Sequence, residues 1–195
     1  MPIFIWTVLA AQILQLLGLP ALTGGAIMLF FDLNFGTSFF NPETGGDPVL
    51  FQHFFWFYSH PAVYVMVLPV FGIFSELFPT YSRKPLFGYK FVAVASFGIT
   101  ILSLVVWVHH MFYTGTPMWM RNLFMFTTML IAVPTGVKVF AWIATLWGGN
   151  LRLNTPMLFC LGGLFNFIFG GITGVMLATV PIDIHVGNTY FVVAH

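Results

Sequence analysis

An all-α fold, a polytopic transmembrane helix bundle of about five full spans plus the start of a sixth, is what this 195-residue sequence predicts. Three observations carry that prediction. Apolar residues make up 59% of the chain and charged ones 6%, whereas soluble domains run at about 45–50% and about 25%. Five apolar runs, at residues 3–31, 50–78, 91–113, 123–147 and 156–180, each reach or exceed the ~20 residues that carry a helix across hydrocarbon. The separators between them are short and marked by Gly, Pro and Asn. This composition excludes a soluble globular fold and a disordered chain. A net charge of +1 leaves no basic patch for nucleic acid. The single cysteine, Cys160, excludes an internal disulfide framework and a multi-cysteine metal cluster.

The elements follow in order. The first span opens directly after Met1-Pro2, without the charged region of a signal peptide. Residues 32–49, rich in Gly, Pro, Asn and Thr, read as a loop, and so does 79–85, which carries Arg83 and Lys84. Loops at 114–121 and 148–155 separate the third, fourth and fifth spans. Residues 189–195 begin a sixth apolar segment and stop, so the chain reads as an internal fragment of a larger bundle, one transmembrane domain over 1–195. Arg83, Lys84, Lys90 and Arg152 fall on one side, against Arg121 with Asp32, Glu43, Asp47 and Asp183 on the other. Positive charge in short loops marks the inner face, which puts the N-terminus and the loops after the second and fourth spans in the cytoplasm or matrix.

Ionisable groups inside spans are functional hypotheses by default. A lone buried histidine is more often a hydrogen-bonded core residue than a ligand. Three at similar depth on successive spans weigh differently. With the second helix starting near Leu50, His60 lies roughly 15 Å in at the helical rise. The pair His109-His110 falls in the outer part of the third, antiparallel span, so the three imidazoles can meet in the outer half of the bilayer. Imidazole suits copper, iron and zinc, and three neutral histidines without a thiolate favour copper with an open position. Tyr64 follows His60 by four residues and shares its helix face. It is either a packing aromatic or a phenol able to supply a proton and an electron beside a metal.

Lys138 is the strongest single oddity, because a lysine at a helix centre costs about 2.5–3.5 kcal/mol on insertion scales. It lies roughly 24 Å from the outer end of its helix, with Thr135 at roughly 20 Å, Tyr64 at roughly 21 Å and Ser75 at roughly 38 Å. A structural ion pair is one reading, yet Glu76, close to the inner boundary, is the only acid deep in a nearby span. A proton relay from the inner face toward the metal is the favoured one.

Together these residues are recognisable. Tyr58-Ser59-His60-Pro61-Ala62-Val63-Tyr64, Trp107-Val108-His109-His110-Met111-Phe112 and Pro134-Thr135-Gly136-Val137-Lys138-Val139-Phe140 resemble subunit I of the heme–copper oxygen reductases, the cytochrome c oxidase family. Gly45-Gly46-Asp47-Pro48 and Asp183…Thr189-Tyr190-Phe191-Val192-Val193-Ala194-His195 match as well. The likeness covers essentially the whole chain, as the fifth helix to the start of the tenth of a twelve-helix subunit. It implies that His60, His109 and His110 bind copper, with Tyr64 covalently joined to His60. His195 would be the axial ligand of a high-spin heme, of the A type. Ser75, Thr135 and Lys138 match the lysine proton channel, and Trp56 and Trp107 match tryptophans of the site. The reaction implied is reduction of O₂ to water with electrons from cytochrome c, coupled to proton translocation, in a complex with oxidase subunits II and III. The membrane expected is a prokaryotic plasma membrane, or else the mitochondrial inner membrane.

Three departures stand out. Most mitochondrial members carry glutamate where this chain has Ala62; Tyr58 one turn earlier, with Ser59, resembles the prokaryotic subgroup that uses a Tyr-Ser pair for proton transfer instead. The family's His-Asp pair that helps bind magnesium reads Gly187-Asn188 here, with His185 and Asp183 nearby. Both low-spin heme ligands fall outside these residues. A quinol-oxidising relative is the close alternative, and a nitric oxide reductase relative suits Tyr64 and Lys138 less well. A non-redox proton or metal transporter, from a different class, would need neither the His-Pro-x-x-Tyr spacing nor a heme ligand.

Overall fold

The computed structural model describes all residues, 1–195, as helices joined by short loops. In order these are α1 (Ile3–Phe35), α2 (Pro48–Ser82), α3 (Tyr89–Ser103), α4 (Met118–Leu130), α5 (Ala132–Leu146), α6 (Thr155–Leu177), α7 (Val180–Val186) and α8 (Tyr190–Ala194). Four stretches are long and apolar enough to cross a membrane: α1, α2, the joined α4–α5 and α6. Only 39 of the 195 residues are buried, so most apolar side chains face outward, as a bundle surrounded by lipid or by further helices requires.

The third span differs from the unbroken helix expected over 91–113. Helix α3 stops at Ser103, and a 3₁₀ turn, Trp107–Met111, carries the histidine pair. The last turn tightens, with Leu104 and Val105 N–H donating to Ile101 O (3.3 Å) and Leu102 O (2.9 Å). Thr127 Oγ1 donates to the freed Val105 carbonyl at 2.7 Å, so the break is satisfied from α4. The fourth span is also divided, between Leu130 and Ala132. Pro134 explains it: proline has no N–H to give the Leu130 carbonyl, and its ring crowds that oxygen.

Helix α2 starts two residues earlier than expected. Asp47 Oδ1 caps it by accepting from Val49 N–H at 2.8 Å, with Pro48 at the first helical position. Asp32 organises the preceding loop, its two oxygens accepting from Phe39 and Phe40 N–H, both at 2.9 Å. On the other side of the bundle Lys84 Nζ donates to Ala144 O (3.0 Å) and Trp147 O (2.5 Å) at the C-terminal end of α5, where the helix dipole favours a cation.

Helix α1 packs chiefly on α2. Small residues make that close approach possible: a Cβ on Gly25 would stand 2.9 Å from Phe54 Cβ, and Gly72 lies against Thr7 with no room for one. The inner core gathers Leu68, Phe71 and Phe78 of α2, Ile99 of α3, Trp142 of α5 and Cys160 and Leu164 of α6. A second cluster, Val108, Met111, Phe112, Phe124 and Val180, backs the histidine pair.

Candidate metal centre

His60 on α2 and the adjacent pair on the 3₁₀ turn converge. His60 Nδ1 lies 3.2 Å from His110 Nε2, and His109 Nε2 lies 3.0 Å from the same atom. One nitrogen from each ring falls within 4.8 Å of the other two. These contacts set ring nitrogens against one another with no carboxylate or thiolate among them, and His60 Nε2 is buried without any partner. Three imidazole lone pairs directed at one point fit a cation better than they fit each other. The residues therefore suit a metal.

Neighbours hold two of the rings. The Thr128 hydroxyl donates to Phe124 O at 2.5 Å and stands 3.0 Å from His109 Nδ1. Its hydrogen being spent on the carbonyl, it accepts from Nδ1–H, and that tautomer leaves the His109 Nε2 lone pair facing the other histidines. Trp56 stacks flat on His110, with centroids 3.8 Å and planes 7° apart. Trp107 does not touch the three rings; its indole N–H donates to His53 Nδ1 at 3.2 Å, and its edge packs on Phe57 and Phe124. The Tyr64 ring is 4.7 Å from that of His60, centroid to centroid.

His195 stands apart from the three, against α6. Its Nδ1 lies 3.1 Å from Thr173 Oγ1, and its ring fills the notch at Gly174, where a Cβ would come within 2.7 Å. Thr173 gives its hydrogen to Gly170 O at 2.9 Å, so it accepts from Nδ1–H and leaves His195 Nε2 free to bind.

Lys138 is wholly buried on α5. It has no acid partner; Nζ donates to Ser96 Oγ (2.7 Å) and Val92 O (3.2 Å) of α3, 5.7 Å from the Phe71 ring centroid. Thr135, three residues before it, donates to Ile131 O at 2.9 Å. Ser75, on α2, donates to Phe71 O (2.7 Å) and accepts from the Trp142 indole (2.9 Å). Lys138, Thr135 and Ser75 are thus not hydrogen-bonded to one another. Tyr58 turns to α1, its hydroxyl 3.3 Å from Gln15 Nε2 and 3.5 Å from Gln15 Oε1; Ser59 beside it is half-buried.

Sequence reasoning missed Thr128, Ser96 and Gln15. The signal available was a hydroxyl or amide interrupting an apolar run. At the outer end, Asp183 Oδ2 is buried without a partner and burial pushes its carboxyl up to about 6. A side chain at Gly187 would run into the Tyr113 hydroxyl, so the histidine of the magnesium-binding pattern has no room there.

A family model described as Cytochrome C and Quinol oxidase polypeptide I matches residues 1–195. Over its whole length the chain is 60% identical to cytochrome c oxidase subunit 1 of Synechocystis sp. and 56% identical to that of Thermostichus vulcanus. To the same subunit of Cereibacter sphaeroides it is 50% identical over 194 residues. It spans 35% of the length of the first two and 34% of the third. The chain belongs to the cytochrome c and quinol oxidase polypeptide I family.

Proposed function

We propose that the full-length protein is the catalytic subunit of a terminal respiratory oxidase. It reduces O₂ to water with electrons from cytochrome c and couples this to proton translocation. The convergence of His60, His109 and His110, with no anionic ligand among them, carries the reading. His60, His109 and His110 would hold copper and His195 a high-spin heme of the A type, groups that would pass electrons to O₂ and supply the Lewis acidity its reduction needs. Cytochrome c is favoured over quinol as donor because the three relatives described above are each named cytochrome c oxidase subunit 1. Subunits II and III of such a complex are the partners, and a prokaryotic membrane is favoured by those relatives and by the Tyr58-Ser59 pair.

The chain's own residues have distinct tasks. Thr128 fixes the tautomer of His109, and Trp56 holds the plane of His110. The unpartnered His60 Nε2 is free for the covalent link to Tyr64 that the family resemblance implies. The Tyr64 phenol can then give one electron and one proton at the site. Lys138, with Ser75 on its inner side and Thr135 on its outer side, relays protons from the inner face. Tyr58 and Ser59, with Gln15, serve a second proton route in place of the missing glutamate.

Replacing His109 or His110 with Ala in the full-length oxidase abolishes O₂ reduction and lowers bound copper, while reduction of the low-spin heme continues. Wild-type copper content with normal turnover in either variant would sink the assignment.

A further inference from the structure

Oxygen atoms near the Lys138 ammonium belong to α3, an element outside the proposed route. Lys138 and Ser96 are both completely buried. Ser96 Oγ accepts from Nζ at 2.7 Å and gives its own hydrogen to Val92 O at 3.1 Å, so its lone pairs are turned to the lysine. Val92 O is the second acceptor, at 3.2 Å. The hydroxyls of the route are otherwise engaged. Thr135 donates to Ile131 O, and Ser75 is held between Phe71 O and the Trp142 indole. Helix α3 carries further buried hydroxyls at Thr100 and Ser103, but these bond to Ser96 O, Ala10 O and Thr100 O and leave the lysine alone. Among the hydroxyls near it, Ser96 alone reaches Lys138.

We infer that Ser96 is a positioning residue that holds the proton-loaded Lys138 against α3 and so keeps the lysine charged at its place in the relay. The inference rests on the relay reading of Lys138 given above. Physically, a hydrogen bond from an ammonium is about twice as strong as one between neutral groups. The grip is therefore tight on the loaded lysine and relaxes when the proton leaves. Without Ser96 the loaded side chain keeps one of its two acceptors, the Val92 carbonyl, with the Phe71 ring centroid 5.7 Å from its nitrogen.

The test is the rate of anaerobic high-spin heme reduction in the assembled full-length oxidase, followed optically. Ser96→Ala slows it by about tenfold, the size expected for a lost hydrogen bond to a charged group. Ser96→Thr, which keeps the oxygen, and Ser103→Ala, which removes a neighbouring buried hydroxyl, both stay within about twofold of wild type. In a Lys138→Met background, itself strongly slowed, Ser96→Ala adds less than about twofold, because its effect runs through the lysine. An equal slowing with and without Lys138 means a structural role and overturns the inference, as does a normal rate in Ser96→Ala. A normal rate in Lys138→Met sinks the relay reading itself and Ser96 with it. Should Ser96→Ala fail to assemble, shown by missing heme bands, Ser96→Cys replaces it with a weaker acceptor of similar size and the same slowing is expected.

Discussion

Thr128 contributes to the candidate metal centre through one atom. Because its hydrogen goes to Phe124 O, the oxygen presents a lone pair to His109 Nδ1 and so selects which ring nitrogen can bind. Removing such an outer partner typically weakens metal affinity by about 10–100-fold. Thr128→Val should therefore lose copper during dialysis against a chelator under conditions where wild type keeps it, and Thr128→Ser should retain it. Equal metal-to-heme ratios in Thr128→Val and wild-type preparations would show that the His109 ring is held by packing alone. At this scale the sequence was partly legible. His60, His109, His110 and Lys138 stood out because an ionisable group inside a span has few structural uses. Thr128, Ser96 and Gln15 did not, because such side chains in apolar helices usually bond to their own backbone or pack silently.

Among the elements, the two interrupted spans matter most for the site. The histidine pair sits on the 3₁₀ turn that follows the break after Ser103, with its two Nε2 atoms 3.0 Å apart. The split at Ile131 sets the direction of α5 and with it the place of Thr135 and Lys138. Pro134 also packs on α3, where a Cβ at Gly98 would stand 3.5 Å from its ring. Pro134→Ala restores an N–H for the Leu130 carbonyl and joins α4 to α5 in one straighter helix. The expected result is an oxidase that melts within about 4 °C of wild type yet transfers protons through Lys138 several-fold more slowly. Unchanged reduction kinetics would mean that the division of the helix has no part in placing the lysine. The spans themselves were readable from hydrophobic length. The break in the third span was not, since the residues at 104–106 are as apolar as those around them, whereas the break in the fourth is a local consequence of Pro134.

For the whole molecule, sidedness follows from charge. The loop with Glu43 and the loop with Arg83 lie at opposite ends of α2, and the excess of Lys and Arg marks the second as the inner one. In right-side-out membrane vesicles a membrane-impermeant maleimide should label Glu43→Cys and leave Arg83→Cys untouched until the membrane is opened. The native Cys160 is buried and gives little background. Labelling of Arg83→Cys from outside would invert the topology and move the metal centre to the inner half of the bilayer.

Composition and the length of the apolar runs by themselves determined the all-helical membrane class and which histidines are candidates to hold a metal. Those properties depend on the free energy of transferring each residue between water and hydrocarbon, which is additive along the chain and so can be read from it. Tertiary structure decided the partners: Ser96 rather than Ser75 or Thr135 for Lys138, Gln15 for Tyr58, Thr128 for His109, His53 for Trp107. It also decided where the third span breaks. Each of these depends on which helix faces which and at what rotation. In a bundle whose outward and inward surfaces are both apolar, hydrophobic patterning says little about that, and close packing with hydrogen-bond geometry settles it instead.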